Sequence, residues 1–145
     1  MSEARKAPLI DTNLLVYAYA EDSPKKAAAT ELLQRCLHGE ARLHIALQNI
    51  GEFCSVALHR YSADPAKVDK IIQALLRCET LVKLHYHDST FQRALALAGK
   101  GTLRFWDAML VAAMIEHGVE SIYTEDSAFG KVPGINVINP FRERK

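Results

Sequence analysis

Short apolar runs alternate along this chain with longer segments in which apolar residues recur every three or four positions. The short runs are typical of buried strands, and the longer segments are typical of amphipathic helices. A chain that alternates the two in this way favours an α/β fold with a central parallel sheet flanked by helices. The predicted strands lie at residues 8–10, 43–47, 80–84, 121–124 and 136–138.

The predicted helices fill the spaces between these runs. We expect them at residues 13–20, from Ser23 to Gly39, at 48–61, at 64–79, from Asp88 or Ser89 to Gly99, and at 105–117. Ser23 is a typical helix N-cap, and Pro24 suits a first helical turn. The last of these segments is apolar on nearly every side, which predicts a helix buried in the core.

Composition narrows the class of protein. A chain of 145 residues, 49% hydrophobic and 24% charged, fits one globular domain spanning residues 1–145. Its formal net charge of +1 gives no support for a broad basic face, so any basic patch for nucleic acid must be local. No apolar run reaches the length of a membrane span, and the first residues lack the apolar stretch of a signal peptide. We therefore expect a cytoplasmic protein with no membrane partner.

The three cysteines, Cys36, Cys54 and Cys78, are widely spaced and form no CxxC pair. Each lies in or at the end of a helical pattern among apolar neighbours. This arrangement favours buried free thiols over disulfides or a zinc site.

Four acidic residues fall where parallel sheets build their sites. Asp11 follows the first predicted strand and Asp126 follows the fourth, while Glu52 and Asp107 lie in first turns of helices. Ligand sites of such sheets lie beyond the carboxyl ends of the strands. Each acid alone has a simpler interpretation, as a helix N-cap, a partner of a helix dipole or a turn cap.

Asp107 strengthens the case for a site. It begins the apolar helix, where a buried carboxylate needs a partner, and only Arg104 is suitably placed on the same segment. A metal ion shared with other carboxylates would satisfy that charge, whereas carboxylates alone would repel one another. Oxygen ligands without His or Cys suit Mg²⁺ or Mn²⁺, which serve phosphoryl chemistry.

Four short motifs in order then resemble the PIN-domain family and, within it, the VapC-type ribonuclease toxins. The motifs are Ile10-Asp-Thr-Asn13, Asn49-Ile-Gly-Glu-Phe53, Phe105-Trp-Asp-Ala108 and Thr124-Glu-Asp126, and the ending Val137-Ile-Asn-Pro-Phe141 is also similar. The resemblance implies a Rossmann-like, three-layer α/β/α domain. It also implies an endoribonuclease that depends on Mg²⁺ or Mn²⁺, a cognate antitoxin as partner and a homodimer.

The resemblance implies a role for each acid. Asp11 and Asp107 match the main metal ligands, and Asp126 and Glu52 match the residues that complete the shell, directly or through water. Asp126 takes the acidic position of its motif, although Glu125 is its neighbour.

Four further residues are candidates for supporting roles near the acids. Asn13 and Thr124 match polar positions beside the site in the family. Lys100 and Arg104 precede Asp107 and are candidates for contacts with RNA phosphates. We expect hydrolysis by water that leaves a 5′ phosphate and a 3′ hydroxyl.

Two alternatives remain open, and three others are disfavoured by the residues present. The chain could be a PIN-domain nuclease of RNA maturation or an inactive binding module of the same fold. A phosphatase of the haloacid dehalogenase type needs a second Asp where Asn13 stands, and a receiver domain needs an acidic pair after the first strand. His85-Tyr-His87-Asp88 resembles a group of metal ligands, but further spaced ligands are lacking and solvated residues are favoured there.

Overall fold

Five parallel strands form one central sheet in the computed structural model, which describes residues 6–20 and 22–142. The strand order is β3-β2-β1-β4-β5. The bounds are β1 Leu9–Ile10, β2 Leu43–Ala46, β3 Leu81–Leu84, β4 Ser121–Tyr123 and β5 Asn136–Ile138. The predicted α/β class and the parallel sheet are confirmed.

Helices connect the strands and cover both faces of the sheet. Their bounds are α1 Thr12–Tyr19, α2 Lys26–Leu37, α3 Leu47–His59, α4 Pro65–Arg77, α5 Asp88–Gly99 and α6 Phe105–Glu116, with a 3₁₀ helix at Ser127–Lys131. The predicted start of α2 was wrong, because the helix begins after Lys25 and not at Ser23. Ser23 Oγ instead accepts a hydrogen bond from the Lys25 N–H in the turn before the helix (3.1 Å).

Two hydrophobic cores separate the three layers. The helices α1 to α4 pack on one face of the sheet, against Ile10 and Ile45. The helices α5 and α6 pack on the other face, against Leu9 and Leu84. Neighbouring residues of a strand thus serve opposite cores, as the twofold repeat of a strand requires.

Helix α6 is the most deeply buried helix of the described chain. Every residue from Ala108 to Met114 is buried, which agrees with the apolar sequence on all its sides. The first turn of this helix carries Asp107 to the edge of the sheet.

The described helices and the three cysteines can be compared with the expectations about membranes and thiols. None of the described helices is long and apolar enough to cross a bilayer. Cys36, Cys54 and Cys78 are free thiols; the predicted burial is found for Cys36, whereas Cys54 and Cys78 are half-buried.

The strand order creates a crevice next to β1. From β1 the sheet continues in one direction through β2 and β3, and in the other through β4 and β5. In open parallel sheets, ligands bind at such a reversal, beyond the carboxyl ends of the strands. Here the Asp11 N–H donates to the Tyr123 carbonyl (3.1 Å), so the segments that follow β1 and β4 lie side by side.

Candidate active site

Asp11 is held at the centre of this crevice by two hydrogen bonds. It is the N-cap of α1, and its Oδ1 accepts from the Thr12 N–H (2.7 Å). Its Oδ2 accepts from Thr124 Oγ1 (2.8 Å), a buried hydroxyl that follows β4. The side chain is half-buried. Asp11 therefore has the N-cap role that its position suggests, while both oxygens stay fixed toward the site.

Glu52 is joined to Asp11 through a buried polar relay. Thr12 Oγ1 donates to Glu52 Oε2 (3.2 Å) and accepts from Asn49 Nδ2 (3.0 Å). Asn49 Oδ1 accepts from the Ala46 N–H at the end of β2 (3.0 Å). Sequence reasoning assigned no role to Thr12 or Asn49. The spacing in the sequence could have indicated this role for Asn49, because it precedes Glu52 by three residues and the two share a face of α3.

Gln48 holds Glu52 from the other side. Its Nε2 donates to Glu52 Oε1 (2.7 Å) and to the Trp106 carbonyl (3.1 Å), and its Oε1 accepts from the Tyr86 hydroxyl. Burial, with a smaller contribution from the charge of Glu52, raises the pKa of Tyr86, so this hydroxyl stays a donor. The start of α3 and the start of α6 are thus joined beside the acids.

Asp107 differs from the other acids because nothing in the described residues donates a hydrogen bond to it. It lies half-buried in the first turn of α6, just after Arg104, the N-cap of that helix. Arg104 is exposed, and its positive charge acts to lower the pKa of Asp107.

Asp126 and Glu125 point to different partners. Glu125 accepts hydrogen bonds from Lys25 Nζ and the Tyr17 hydroxyl, which together lower its pKa. Asp126 is exposed and caps the 3₁₀ helix, with Oδ1 accepting from the Ala128 N–H (2.9 Å). Its charge acts on Asp107, which favours Asp126 as the acid of the site.

The electrostatics join the four acids. Burial raises the pKa of Asp11, the hydrogen bonds from Thr124 and Thr12 oppose this, and the charges of Glu52 and Asp107 add to it. Burial also raises the pKa of Asp107, followed by the charges of Asp126 and Glu52. Each half-buried carboxylate therefore lies in the field of the others, with little positive charge to balance them.

Comparison with known proteins decides the family. Residues 9–135 match the PIN domain family. The chain is 30% identical over 129 residues to VapC ribonuclease Mb1869c of Mycobacterium bovis and to ribonuclease VapC13 of Mycobacterium tuberculosis, covering 88% of this chain and 95% of each relative. The chain belongs to the PIN-domain family, among its VapC ribonucleases. The predicted family and the predicted ribonuclease class are confirmed.

Solved structures show the same fold. A toxin–antitoxin complex from Klebsiella pneumoniae has a TM-score of 0.67 at 21% identity, with 94% of this chain and 100% of that chain covered. VapC20 of Mycobacterium tuberculosis, described as a sarcin-ricin loop cleaving toxin, has a TM-score of 0.70 at 15% identity, covering 86% and 94%. The three-layer PIN architecture expected from the motifs is therefore present.

The remaining candidates of this VapC ribonuclease are exposed side chains. Asn13 is exposed and lines a groove of about 690 Å³ with Tyr17, Tyr61 and their neighbours, and no hydrogen bond within the described chain ties its side chain to a carboxylate. Lys100 is exposed at the C-cap of α5, and Arg104 is exposed beside Asp107. A phosphate contact is thus supported more directly for Arg104 than for Lys100.

The donor set of this PIN domain fits a hard divalent cation. Between residues 6 and 142, Glu21 apart, no three acidic, His or Cys side chains are arranged to chelate one ion as they stand. Mg²⁺ needs no such cage, because it is usually bound through one or two carboxylates and keeps several waters. Asp107, with no protein donor, and Asp11, with raised pKa, supply oxygens whose charge a cation would balance.

The histidines give no competing site in the described chain. The rings of His87 and His117 stack with centroids 5.7 Å apart, and His44 Nδ1 lies 2.7 Å from the Ala7 carbonyl. Within the described residues, His85, His87 and Asp88 are not arranged with a third ligand around one point.

Proposed function

We propose that this VapC ribonuclease hydrolyses RNA phosphodiesters at Asp11, Glu52, Asp107 and Asp126, with Mg²⁺ or Mn²⁺ held between them. The observation that carries the proposal is the pair Asp11 and Asp107, two half-buried carboxylates whose pKa values are raised by burial and by the charges of their acidic neighbours. A cation shared by the pair would relieve their charge repulsion at neutral pH.

The residues divide the work by how they are held. Asp11 is fixed by Thr12 and Thr124, so it supplies an oriented anchor. None of the described residues donates to Asp107, which is therefore the main partner for a cation. When bound, the cation supplies activation of water and neutralisation of charge on the phosphate.

The other two acids lie nearer to solvent. Glu52 and Asp126 are both exposed, so either can orient a water toward the phosphate. Hydrolysis by water leaves a 5′ phosphate and a 3′ hydroxyl, and the 2′ hydroxyl has no part in the attack. Preference for RNA then comes from the groove around the acids and not from the reaction itself.

The test compares wild type with Asp107→Asn on labelled single-stranded RNA, with Mn²⁺ and with chelator. Asp88→Asn is the matched control, because Asp88 also lies in the first turn of a helix, α5, but is exposed and outside the site. We expect cleavage by wild type and by Asp88→Asn only with the metal, and little cleavage by Asp107→Asn. Full activity in chelator, or products with 2′,3′-cyclic phosphates, would rule out this chemistry.

We propose, further, that the enzyme is the toxin of a toxin–antitoxin pair. Support comes from structural relatives described as a toxin–antitoxin complex from Klebsiella pneumoniae and as DNA-bound VapBC from Salmonella typhimurium. The excess of carboxylates offers an antitoxin a simple means of inhibition, a cationic side chain placed among them. An antitoxin peptide that binds but leaves RNA cleavage unchanged would contradict this mode of inhibition.

We propose that the protein is a homodimer. We place it in the cytoplasm, where cellular RNA is the substrate, and assign residues 1–145 to one PIN domain. The helices α3 and α4 leave apolar side chains exposed around them, including Tyr61 (39% exposed) and Leu76 (50%). Light scattering should give twice the mass of the chain. A monomer at high concentration would contradict the dimer without affecting the chemistry.

A further inference from the structure

Trp106 stands directly before Asp107, and 60% of its side chain is exposed. It is the only tryptophan of the chain. Tryptophan is on average a strongly buried residue, so an indole left open beside a catalytic carboxylate needs an explanation. The hydrolysis itself assigns no role to this ring.

The backbone of Trp106 is fixed in register with the acids. The residue is covalently next to Asp107, and its carbonyl accepts from Gln48 Nε2 (3.1 Å), the same nitrogen that donates to Glu52 Oε1 (2.7 Å). The ring of Phe105 supports the indole edge-on, with centroids 5.3 Å apart. The indole is therefore held at a set place relative to Asp107 and Glu52.

Gln48 also links the backbone of Trp106 to a pair of aromatic residues, Tyr86 and Phe91. Tyr86, whose hydroxyl donates to Gln48, contacts the ring of Phe91, with centroids 6.4 Å apart. Phe91 is 49% exposed. The exposed Arg104, two residues before Trp106, brings positive charge close to Asp107.

We propose that Trp106 is the stacking platform for a nucleobase of the single-stranded RNA, next to the phosphate that is cut. This inference rests on the proposed function, which places that phosphate at Asp107. Aromatic rings beside a positively charged group are the usual way in which proteins bind unpaired nucleotides, and stacking tolerates any base. A second copy of the chain could also cover an apolar ring, but it would have no need for an indole in register with two catalytic carboxylates.

The single tryptophan makes the platform directly observable. A short oligoribonucleotide is titrated into Asp11→Asn protein with Mg²⁺, so that binding is followed without cleavage. We expect saturable quenching of the tryptophan emission and reduced access of acrylamide to the ring. Binding seen by anisotropy of a labelled oligoribonucleotide, with no change in emission, would overturn the proposal. So would an emission that changes with protein concentration alone, since a second copy would then be covering the ring.

Kinetics on the active enzyme separate binding from chemistry. Trp106→Ala should raise KM about tenfold, the loss of one stacked base, and leave kcat nearly unchanged. Trp106→Phe should keep most of the affinity because it keeps a ring. Leu37→Ala is the control, an exposed apolar residue at the end of α2 (41% exposed) that takes no part in the proposed platform, and its KM should stay close to that of wild type.

The outcomes also separate this proposal from the proposed function. A wild-type enzyme that does not cut RNA with the metal would remove the proposed function and this inference together. Metal-dependent cleavage with an unchanged KM for Trp106→Ala would remove the platform alone. A fall in kcat at constant KM would also contradict it, since Trp106 would then be acting only through the position of Asp107.

Discussion

Asp11 and Asp107, which we propose share one site, are held in opposite ways by the protein. Both oxygens of Asp11 accept hydrogen bonds, from the Thr12 N–H and from Thr124 Oγ1, whereas none of the described residues donates to Asp107. Both carboxylates are half-buried and both have raised pKa values. The difference teaches that the fold preorganises one side of the site and leaves the other side to be satisfied by a ligand.

Local structure explains the difference. Asp11 ends a buried strand and caps α1, so backbone N–H groups and the neighbouring strand-end Thr124 lie within reach. Asp107 lies inside the first turn of α6, where the N–H groups point along the helix axis and Arg104 occupies the capping position. A helix N-terminus favours negative charge there without fixing the side chain.

The largest expected effect is on the reaction rate. Asp11→Asn and Asp107→Asn should each lower kcat more than about 100-fold, the upper end of what loss of an outer-shell partner of a metal costs. If the two acids serve the same ion, the double variant should lose little beyond the worse single variant. Single-turnover cleavage of labelled RNA measures all three, and multiplicative losses would show that the two acids act independently.

The next effect is stabilisation by the metal. Divalent cation at about 100 times its Kd should raise the free energy of unfolding by roughly 2.7 kcal/mol. We expect this gain for wild type and its near loss in Asp107→Asn, because Asp107 has no competing protein donor. Thermal unfolding in MgCl₂, with NaCl at equal ionic strength as control, measures the gain. An equal gain in both salts would indicate screening of charge without a bound ion.

The sequence predicts only part of the site. Apolar periodicity predicts that each acid lies at a strand end or a helix start, and that α6 is buried. This periodicity can be read from neighbouring residues in the sequence. In the sequence, only the motif favours Asp126 over Glu125. In the structure, Glu125 is bound by Lys25, a residue one hundred positions away, and Asp126 is not. A contact of that kind depends on tertiary packing and has no local pattern.

The relay behind Glu52 was missed for a similar reason. Thr12 and Asn49 are ordinary polar residues in their own segments, and their role exists only because α1 and α3 pack together. Their burial, 5% exposed for Thr12 and 1% for Asn49, marks them as parts of the site once the fold is known. The sequence thus indicates the candidate acids but not the hydroxyls and amides that hold them.

A moderate effect should follow from loss of the support for Asp11. Thr124→Val keeps the shape but removes the donor to Asp11 Oδ2 and the acceptor for the Asp126 N–H (3.1 Å). We expect kcat to fall about 10- to 100-fold and the free energy of unfolding to fall by roughly 1–3 kcal/mol. Denaturant unfolding and RNA cleavage measure the two effects.

The matched control for this change is Thr30→Val. The Thr30 hydroxyl is also buried, but it has no hydrogen-bond partner among the described residues. Removing it should leave the free energy of unfolding unchanged or slightly higher, because no bond is lost. If Thr124→Val behaved like Thr30→Val in both assays, the support of Asp11 by Thr124 would have no energetic weight.

The smallest effect concerns stability and pH in the absence of metal. The pKa of Asp107 is raised above its ordinary 3.8, so between 3.8 and the raised value the folded chain binds more protons than the unfolded chain. Stability from this group therefore falls as pH rises through that window and stays lower above it. Asp107→Asn removes the penalty, so in chelator at pH 7 its Tm should exceed that of wild type by a few degrees. The difference should shrink as the pH falls toward 4.

Asp11→Asn should gain less, because its amide must turn an N–H toward one of the two donors that Asp11 accepts from. Thermal unfolding at pH 4 and pH 7, with Asp88→Asn as control, gives the measurement. A Tm of Asp107→Asn below that of wild type at pH 7 would mean that Asp107 is stabilised by a partner, which would remove the contrast with Asp11.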